Sequence, residues 1–460
     1  MKANPLLIAV VVLAVLGGAV YYSIENPPAD EDAKPELVKA KEADITEVTV
    51  TKAGQAPITV VRGADDKWTF GGGLTIPADD SAIGLMITNL ASMDADRVVE
   101  ENVTDWAPYG LEGDGELSVD VKFKEAPEKK IIFGGQSPTG SNVFARVEGE
   151  SKLYTAFSYV KSSFDKTVFD WRDKALLQAD DAKVSRVRLD LGDRKYELGK
   201  TGEGNWQILE PGPVRGDNFS VGDLARAIED AQMTAVVSEN GDAPGVSFDK
   251  PYAKADVTDD KGEHTLTIAR AGDLYYAKSS DQPGVYEISS TTAESLNKKL
   301  EDLRDKKLFD FGFAAISRVT VKADGKAATI AKKEDKWLLS SDGDREVDAA
   351  KVQTLIDSLR NLTAIGFPSD SASDHARYGL ASPAIEAEVQ EAEGDKKAEK
   401  VLVSDPSGAR VYAARAGEAT VYELEKAPAQ EIVRALDDVL TVEPAKEEAP
   451  ATEKAPSGAN

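Results

Sequence analysis

A tryptophan, an aspartate and an apolar helical stripe recur three times in the same register, and this repetition constrains the chain more than any other feature. The tryptophans are Trp68, Trp206 and Trp337, and eleven residues after each comes an aspartate: Asp79, Asp217 and Asp348. Four residues later an apolar stripe begins: Ile83, Met86, Ile87 and Leu90, then Val221, Leu224, Ala225 and Ile228, then Val352, Leu355, Ile356 and Leu359. All three follow i, i+3, i+4, i+7, which places the side chains on one face of an α-helix. An aspartate just before such a stripe can accept the free N–H groups of the first helical turn, so each is expected to be an N-cap.

Later landmarks recur as well. Tyr109-Gly110-Leu111 and Tyr378-Gly379-Leu380 stand at equal distances from their tryptophans, while the second copy has only Pro251-Tyr252 nearby. Aromatic residues ten apart, Phe144/Tyr154, Tyr276/Tyr286 and Tyr412/Tyr422, lie in short runs whose alternation fits half-buried strands. Arg172-Asp173-Lys174 and Arg304-Asp305-Lys306 close the first two copies, and the third ends more loosely at 435–440. The chain therefore reads as α+β: an N-terminal transmembrane helix, then three tandem repeats, each an antiparallel sheet with one main packed helix. The repeats are expected at 45–178, 181–311 and 313–440. Each is large enough for its own core.

Residues 5–24 read PLLIAVVVLAVLGGAVYYSI, with no charge. About 20 helical residues span about 30 Å, the thickness of a bilayer's hydrocarbon core. Lys2 precedes the segment, acidic residues follow it, and Tyr21 and Tyr22 stand at its far end. Charge bias and interfacial tyrosines keep the N-terminus cytoplasmic and send the remainder across. A cleaved signal peptide is the competing reading; the long apolar run, with only Gly17 and Ala19 as a small-residue pair, favours an uncleaved anchor. The Pro- and charge-rich stretch 25–44 reads as a flexible spacer, and 441–460 as a disordered tail.

Composition excludes several functions. The chain has 55 basic and 81 acidic residues, a net charge of −26, which disfavours nucleic acid as a partner. With no cysteine, disulfides, thiol catalysis and thiolate metal sites are excluded. The two histidines, His264 and His375, fall in different repeats and read as surface or turn residues. Gly199-Lys200-Thr201 lacks the earlier glycine of a phosphate-binding loop, and Arg215-Gly216-Asp217 is accounted for by its capping aspartate. The glycine-rich stretch from Gly134 to Gly140 reads as a turn between strands. Asp259-Asp260 and the stretch from Asp370 to Asp374 do not match a calcium loop. No catalytic, cofactor-binding or metal-binding residues are assigned.

Trp68, Asp79, Arg97-Val98-Val99, Tyr109-Gly110-Leu111, Phe144/Tyr154 and Arg172-Asp173-Lys174 together resemble domain of unknown function 4340. That resemblance implies a bacterial membrane-anchored envelope protein associated with ABC-transporter systems of the gliding-motility type. On this basis the expected function is a non-enzymatic accessory or scaffold protein. It would be held by one span in the inner membrane with its repeats periplasmic or otherwise extracytoplasmic, beside an ABC-transporter permease or envelope partner protein. The alternatives are a module binding glycan, peptide or lipid in a groove between repeats, and, behind it, a carboxylate-based hydrolase.

Overall fold

The computed structural model describes residues 34–138, 140–392 and 398–441. The expected anchor at 5–24 and nearly all of the expected tail lie outside them. Among the described residues no helix is long and apolar enough to cross a membrane. The chain divides into two compact units, one ending at Lys174 and the other beginning at Ala175. The first holds repeat one, and the second holds repeats two and three.

Repeat two shows the shared topology. Its nine strands lie in the spatial order 214–215, 206–210, 195–200, 186–190, 253–258, 263–271, 274–279, 285–288 and 233–238. Two antiparallel meanders thus start at the central pair 186–190/253–258 and run outward in opposite directions. Helix Asn218–Glu229 carries the chain from one sheet edge to the other, where Met233–Ser238 pairs with Val285–Ile288. Repeat three follows the same nine-strand order, and repeat one follows it with eight.

The helices form for the reasons legible in the sequence. Asp79 accepts the N–H groups of Ser81 and Ala82, each at 3.0 Å; Asp217 accepts that of Ser220 at 2.7 Å, and Asp348 that of Ala350 at 2.7 Å. Every stripe residue is buried. In repeat one the stripe packs on Val48, Val60, Val119 and Phe133 of the sheet's inner face. Burying each larger aliphatic side chain contributes about 1.5–3 kcal/mol, so the stripe outweighs the cap in stabilising the helix while the cap fixes where it begins.

The paired aromatics divide between the two faces of the sheet, because Tyr154 and Tyr422 oppose Ala145 and Ala413, the chain neighbours of Phe144 and Tyr412, and successive residues of a strand point to opposite faces. Tyr154 and Tyr422 enter the main cores and donate their hydroxyls to Glu150 (2.7 Å) and Glu418 (2.9 Å). Phe144 and Tyr412 face the other side, where Tyr109 and Tyr378 meet them edge-on at 5.0 and 4.7 Å. The Tyr-Gly-Leu tripeptides therefore build a small second core on the outer face, with Leu111 and Leu380 buried. Gly110 has a φ of 69°, and a Cβ on Gly134 would stand 2.2 Å from the Tyr109 carbonyl oxygen. Close backbone approach explains the glycine-rich stretch at that point. Repeat two has Thr267 at the register position of Ile132 and Leu402, so it lacks the apolar surface that the tripeptide covers.

Three expectations need correction. The spacer read over 25–44 is partly folded: Glu36–Lys39 is a strand paired with Ser92–Asp94, with Leu37 and Val38 buried. Two adjacent apolar residues in that stretch were enough to bury it. The connectors after Lys174 and Lys306 belong to the repeats they lead into, since Leu308, Phe309 and Phe311 lie in the core of repeat three. Repeat three also has two principal helices rather than one. Where repeat two breaks into Ser290–Ser295 and Leu300–Leu303, repeat three runs continuously from Lys426 to Leu440 and buries Ile432, Leu436 and Val439. In repeat two, Asp302 accepts the Lys299 N–H at 2.9 Å and starts a new helix that redirects the chain into the next repeat.

Asp348 is the clearest test of the caps, because its side chain is exposed and its carboxylate makes the cap bond alone among its described side-chain contacts. Asp348→Ala should cost about 1 kcal/mol in equilibrium unfolding and Asp348→Asn only a fraction of that. Equal stability of all three proteins would contradict the assignment.

Candidate functional site

The junction between repeats two and three gathers a set of buried and half-buried charges. The closing tripeptide of repeat two leaves as an extended strip. Asp217 N–H donates to the Leu303 carbonyl at 2.8 Å and Asp305 N–H to that of Arg215 at 3.1 Å, which ties the strip to its own repeat. Ala364 N–H then donates to the Lys306 carbonyl at 2.8 Å and Leu308 N–H to that of Leu362 at 3.2 Å, which ties it to the next. Repeat one closes on itself in the same manner, with Asp79 N–H to the Trp171 carbonyl and Asp173 N–H to that of Pro77.

This path carries Arg304 into repeat three, where it is 5% exposed. Its two terminal nitrogens grip both oxygens of Asp370, one of them at 2.8 Å, and one also donates to Thr420 Oγ1 at 3.3 Å. The guanidinium lies 3.9 Å from the centre of the Phe367 ring. A planar fork matched to a carboxylate and stacked on an aromatic face is what arginine supplies and lysine does not.

Beside it lies a wider network. Arg215 binds Asp305 and Asp310 and donates to the Lys307 carbonyl at 2.8 Å. Arg415 donates to the Leu308 carbonyl at 3.0 Å and pairs with Asp310 and Glu418, both at 2.8 Å. Glu399 accepts the Asp310 N–H at 2.6 Å. Burial pushes the Asp305 carboxyl above the usual aspartate range despite Arg215, and burial likewise raises Glu399. Burial works against the charge on Arg215, but Asp305 and Asp310 outweigh it and hold the guanidinium charged.

Next to the network is a cleft of about 770 Å³, lined among others by Trp206, Asp217, Phe219, Arg215, Asp305 and Lys307. Phe219 is 76% exposed. An exposed aromatic ring beside mixed charges offers a stacking surface with polar neighbours, a combination suited to holding a small polar ligand.

The strand registers reveal one recurring position that sequence comparison of the repeats misses. Lys129, His264 and Glu399 oppose Val121, Val257 and Val389, which in turn oppose Val48, Val187 and Val319. Each serves the segment leading into its repeat. Lys129 donates to the Leu37 carbonyl at 3.1 Å, and Glu399 holds Asp310. His264 acts through two carboxylates: its Nδ1 is 2.6 Å from Asp281 and its Nε2 3.4 Å from Asp259. Those carboxylates accept the N–H groups of Gln178 at 2.7 Å and Asp180 at 3.0 Å. His264 is therefore a half-buried strand residue at a junction, which corrects its reading as a surface or turn residue. His375 sits in a turn and approaches the Ala419 carbonyl at 3.2 Å.

The remaining motifs have structural roles. Gly199 and Lys200 end a hairpin strand; Asp217 of Arg215-Gly216-Asp217 caps its helix, and Arg215 belongs to the junction. Asp259 closes its own turn on Lys261 and Gly262, and Asp370 engages Arg304. Among the described residues no group of three or more histidines and carboxylates is placed to hold a metal ion. Sequence reading singled out Arg215 and Asp370 only within motifs that it set aside, and it missed Arg415 and Glu399. Only the duplicated Arg-Asp-Lys hinted at them.

A family model described as "Domain of unknown function (DUF4340)" matches the chain in three segments, 68–213, 206–370 and 337–449. Each match begins at one of the three tryptophans. The first two extend past the next tryptophan, so the matched unit takes in the junction as well as the repeat. A search of curated proteins gives no match.

Asp259 and Asp305 should oppose each other in their pH dependence. Burial alone would raise the Asp259 carboxyl, but the N–H groups of Lys261, Asp180 and Gly262, with His264, hold it down at about 2. Its folded value lies below the ordinary 3.8, so its contribution is present above that value and is lost as pH falls toward 2. Asp305 is raised, so its contribution is fullest below 3.8 and is lost as pH rises through its folded value. Urea unfolding across the acid range should show a flatter acid limb for Asp259→Asn and a gentler loss of stability above pH 4 for Asp305→Asn. Slopes identical to the parent in both variants would contradict these assignments.

Proposed function

The chain belongs to the DUF4340 family, and from that premise we propose that it is a non-enzymatic accessory or scaffold protein of the bacterial envelope. In this reading residues 5–24 hold it in the inner membrane by a single span, and the repeats work outside the cytoplasm beside an ABC-transporter permease or an envelope partner protein. The observation that carries the proposal is the use made of the charged side chains of the second unit. Arg215, Arg304 and Arg415, with their carboxylates, join one repeat to the next, as suits a rigid arm that presents surfaces to other proteins. The uncharged stretch at 5–24 supplies the tether.

A second reading, a module binding glycan, peptide or lipid, is favoured by the cleft beside Phe219 and Trp206. The hydrolase reading ranks below both. Asp305 is a carboxyl raised by burial on a cleft wall, the type of group such an enzyme needs, but Arg215 already engages it.

Purification of the full chain from native membranes in mild detergent, with mass spectrometry of proteins and small molecules, tests the proposal. Co-purification of a permease or envelope partner in stoichiometric yield is expected. Recovery without any protein partner, but with a glycan, peptide or lipid that Phe219→Ser abolishes, would replace the leading reading by the second.

A further inference from the structure

The described residues of repeat one begin at Lys34, and the surface around that residue is aromatic. Lys34 lies 4.8 Å over the ring of Phe157, and Phe157 stacks on Tyr159 with centroids 5.6 Å apart and planes 15° apart. Tyr159 is 71% exposed, although it is a large ring at the start of helix Ser158–Phe164. A depression of about 280 Å³ joins Lys34, Phe157, Tyr159 and Val160 to Asn89 and Met93. One turn before Asn89, on the same face of helix Asp80–Ala91, Leu85 is 66% exposed. Two exposed large side chains and a half-buried aromatic thus stand together beside Lys34. Asp94 lines the depression with Lys34, and Lys39 and Lys161 are paired with Glu36 and Glu116, which leaves the patch close to neutral.

The place of this patch in the chain limits what can cover it. Only residues 25–33 separate Lys34 from the end of the apolar stretch at Ile24. Nine residues reach at most about 30 Å even when fully extended. If residues 5–24 span a bilayer, Lys34 is held within that distance of the membrane surface, and so is the aromatic patch beside it. Tyrosine and phenylalanine with a lysine alongside suit the membrane–water interface, where rings sit at headgroup level and ammonium groups reach water.

We propose that Tyr159, Phe157 and Leu85 form a docking face for the lipid–water interface, so that repeat one lies against the membrane instead of swinging on its tether. The proposal rests on the anchored reading above and adds an orientation to it. The patch is nearly neutral and the whole chain strongly acidic, so docking depends on the aromatic and apolar side chains and not on anionic lipid.

The absence of cysteine makes the test direct. Tyr159→Cys, Leu85→Cys and Glu112→Cys in the full chain each carry one environment-sensitive fluorophore. The proteins are reconstituted into phosphatidylethanolamine–phosphatidylglycerol vesicles with and without doxyl-labelled lipid. Glu112 is the control, exposed beside Leu111 on the opposite face of the same sheet. The expected result is a blue-shifted emission, at least halved by doxyl lipid, at positions 159 and 85, with position 112 in water. Vesicle flotation in the same samples separates the two claims. Chains that float with vesicles while all three labels remain in water would overturn docking and leave the anchor standing. Chains that do not float would overturn both.

Discussion

The second unit depends on a charge taken out of water at a place its own repeat cannot satisfy. Arg304 belongs by sequence to repeat two, yet its carboxylate, hydroxyl and aromatic partners all belong to repeat three. A guanidinium that is nearly inaccessible to solvent needs those partners, because a buried charge without them is strongly destabilising. The backbone strip through Arg304 is hydrogen-bonded to both repeats. Neither sheet can move independently without exposing unpaired peptide groups and stranding the arginine. Two domains that each have their own core thereby become one body.

The wider network extends this logic. Arg215 and Arg415 come from different repeats and share Asp310, which lies on the connector between them. Four carboxylates, Asp305, Asp310, Glu399 and Glu418, and two arginines around one short segment fix its path more tightly than apolar packing alone. In repeat one, where no earlier repeat exists within the described residues, Lys129 performs the corresponding task on the strand Glu36–Lys39 with a single hydrogen bond. The same sheet position thus accepts a lysine, a histidine or a glutamate, according to what the incoming backbone and its surroundings present.

That plasticity explains which parts of the fold were legible in the sequence. The stripes and capping aspartates were readable because helix packing imposes a local period and the cap lies within three residues of what it caps. The Tyr-Gly-Leu turns were readable as repeats, but their purpose, an outer core against Phe144 and Tyr412, appears only once strands are paired. The junction was hidden because Arg304 and Asp370 lie 66 residues apart. It was hidden also because Lys129, His264 and Glu399 share a position but no chemistry. The cleft beside Phe219 left no signal, since Trp206 and Asp217 already had structural explanations. The strand at Glu36–Lys39 was masked by the proline and charge around two buried residues.

The proposed role follows from where the polar residues of the second unit are committed. Its buried charges hold repeats together, while Phe219 stands exposed beside them. All of this requires that repeats two and three be one mechanical element, and equilibrium unfolding of Arg304→Ala with local probes in each repeat tests that requirement most directly. The account predicts a loss of at least about 2 kcal/mol and a single transition that splits into two, one for each sheet. A single transition unshifted from that of the parent, reported identically by both probes, would contradict it.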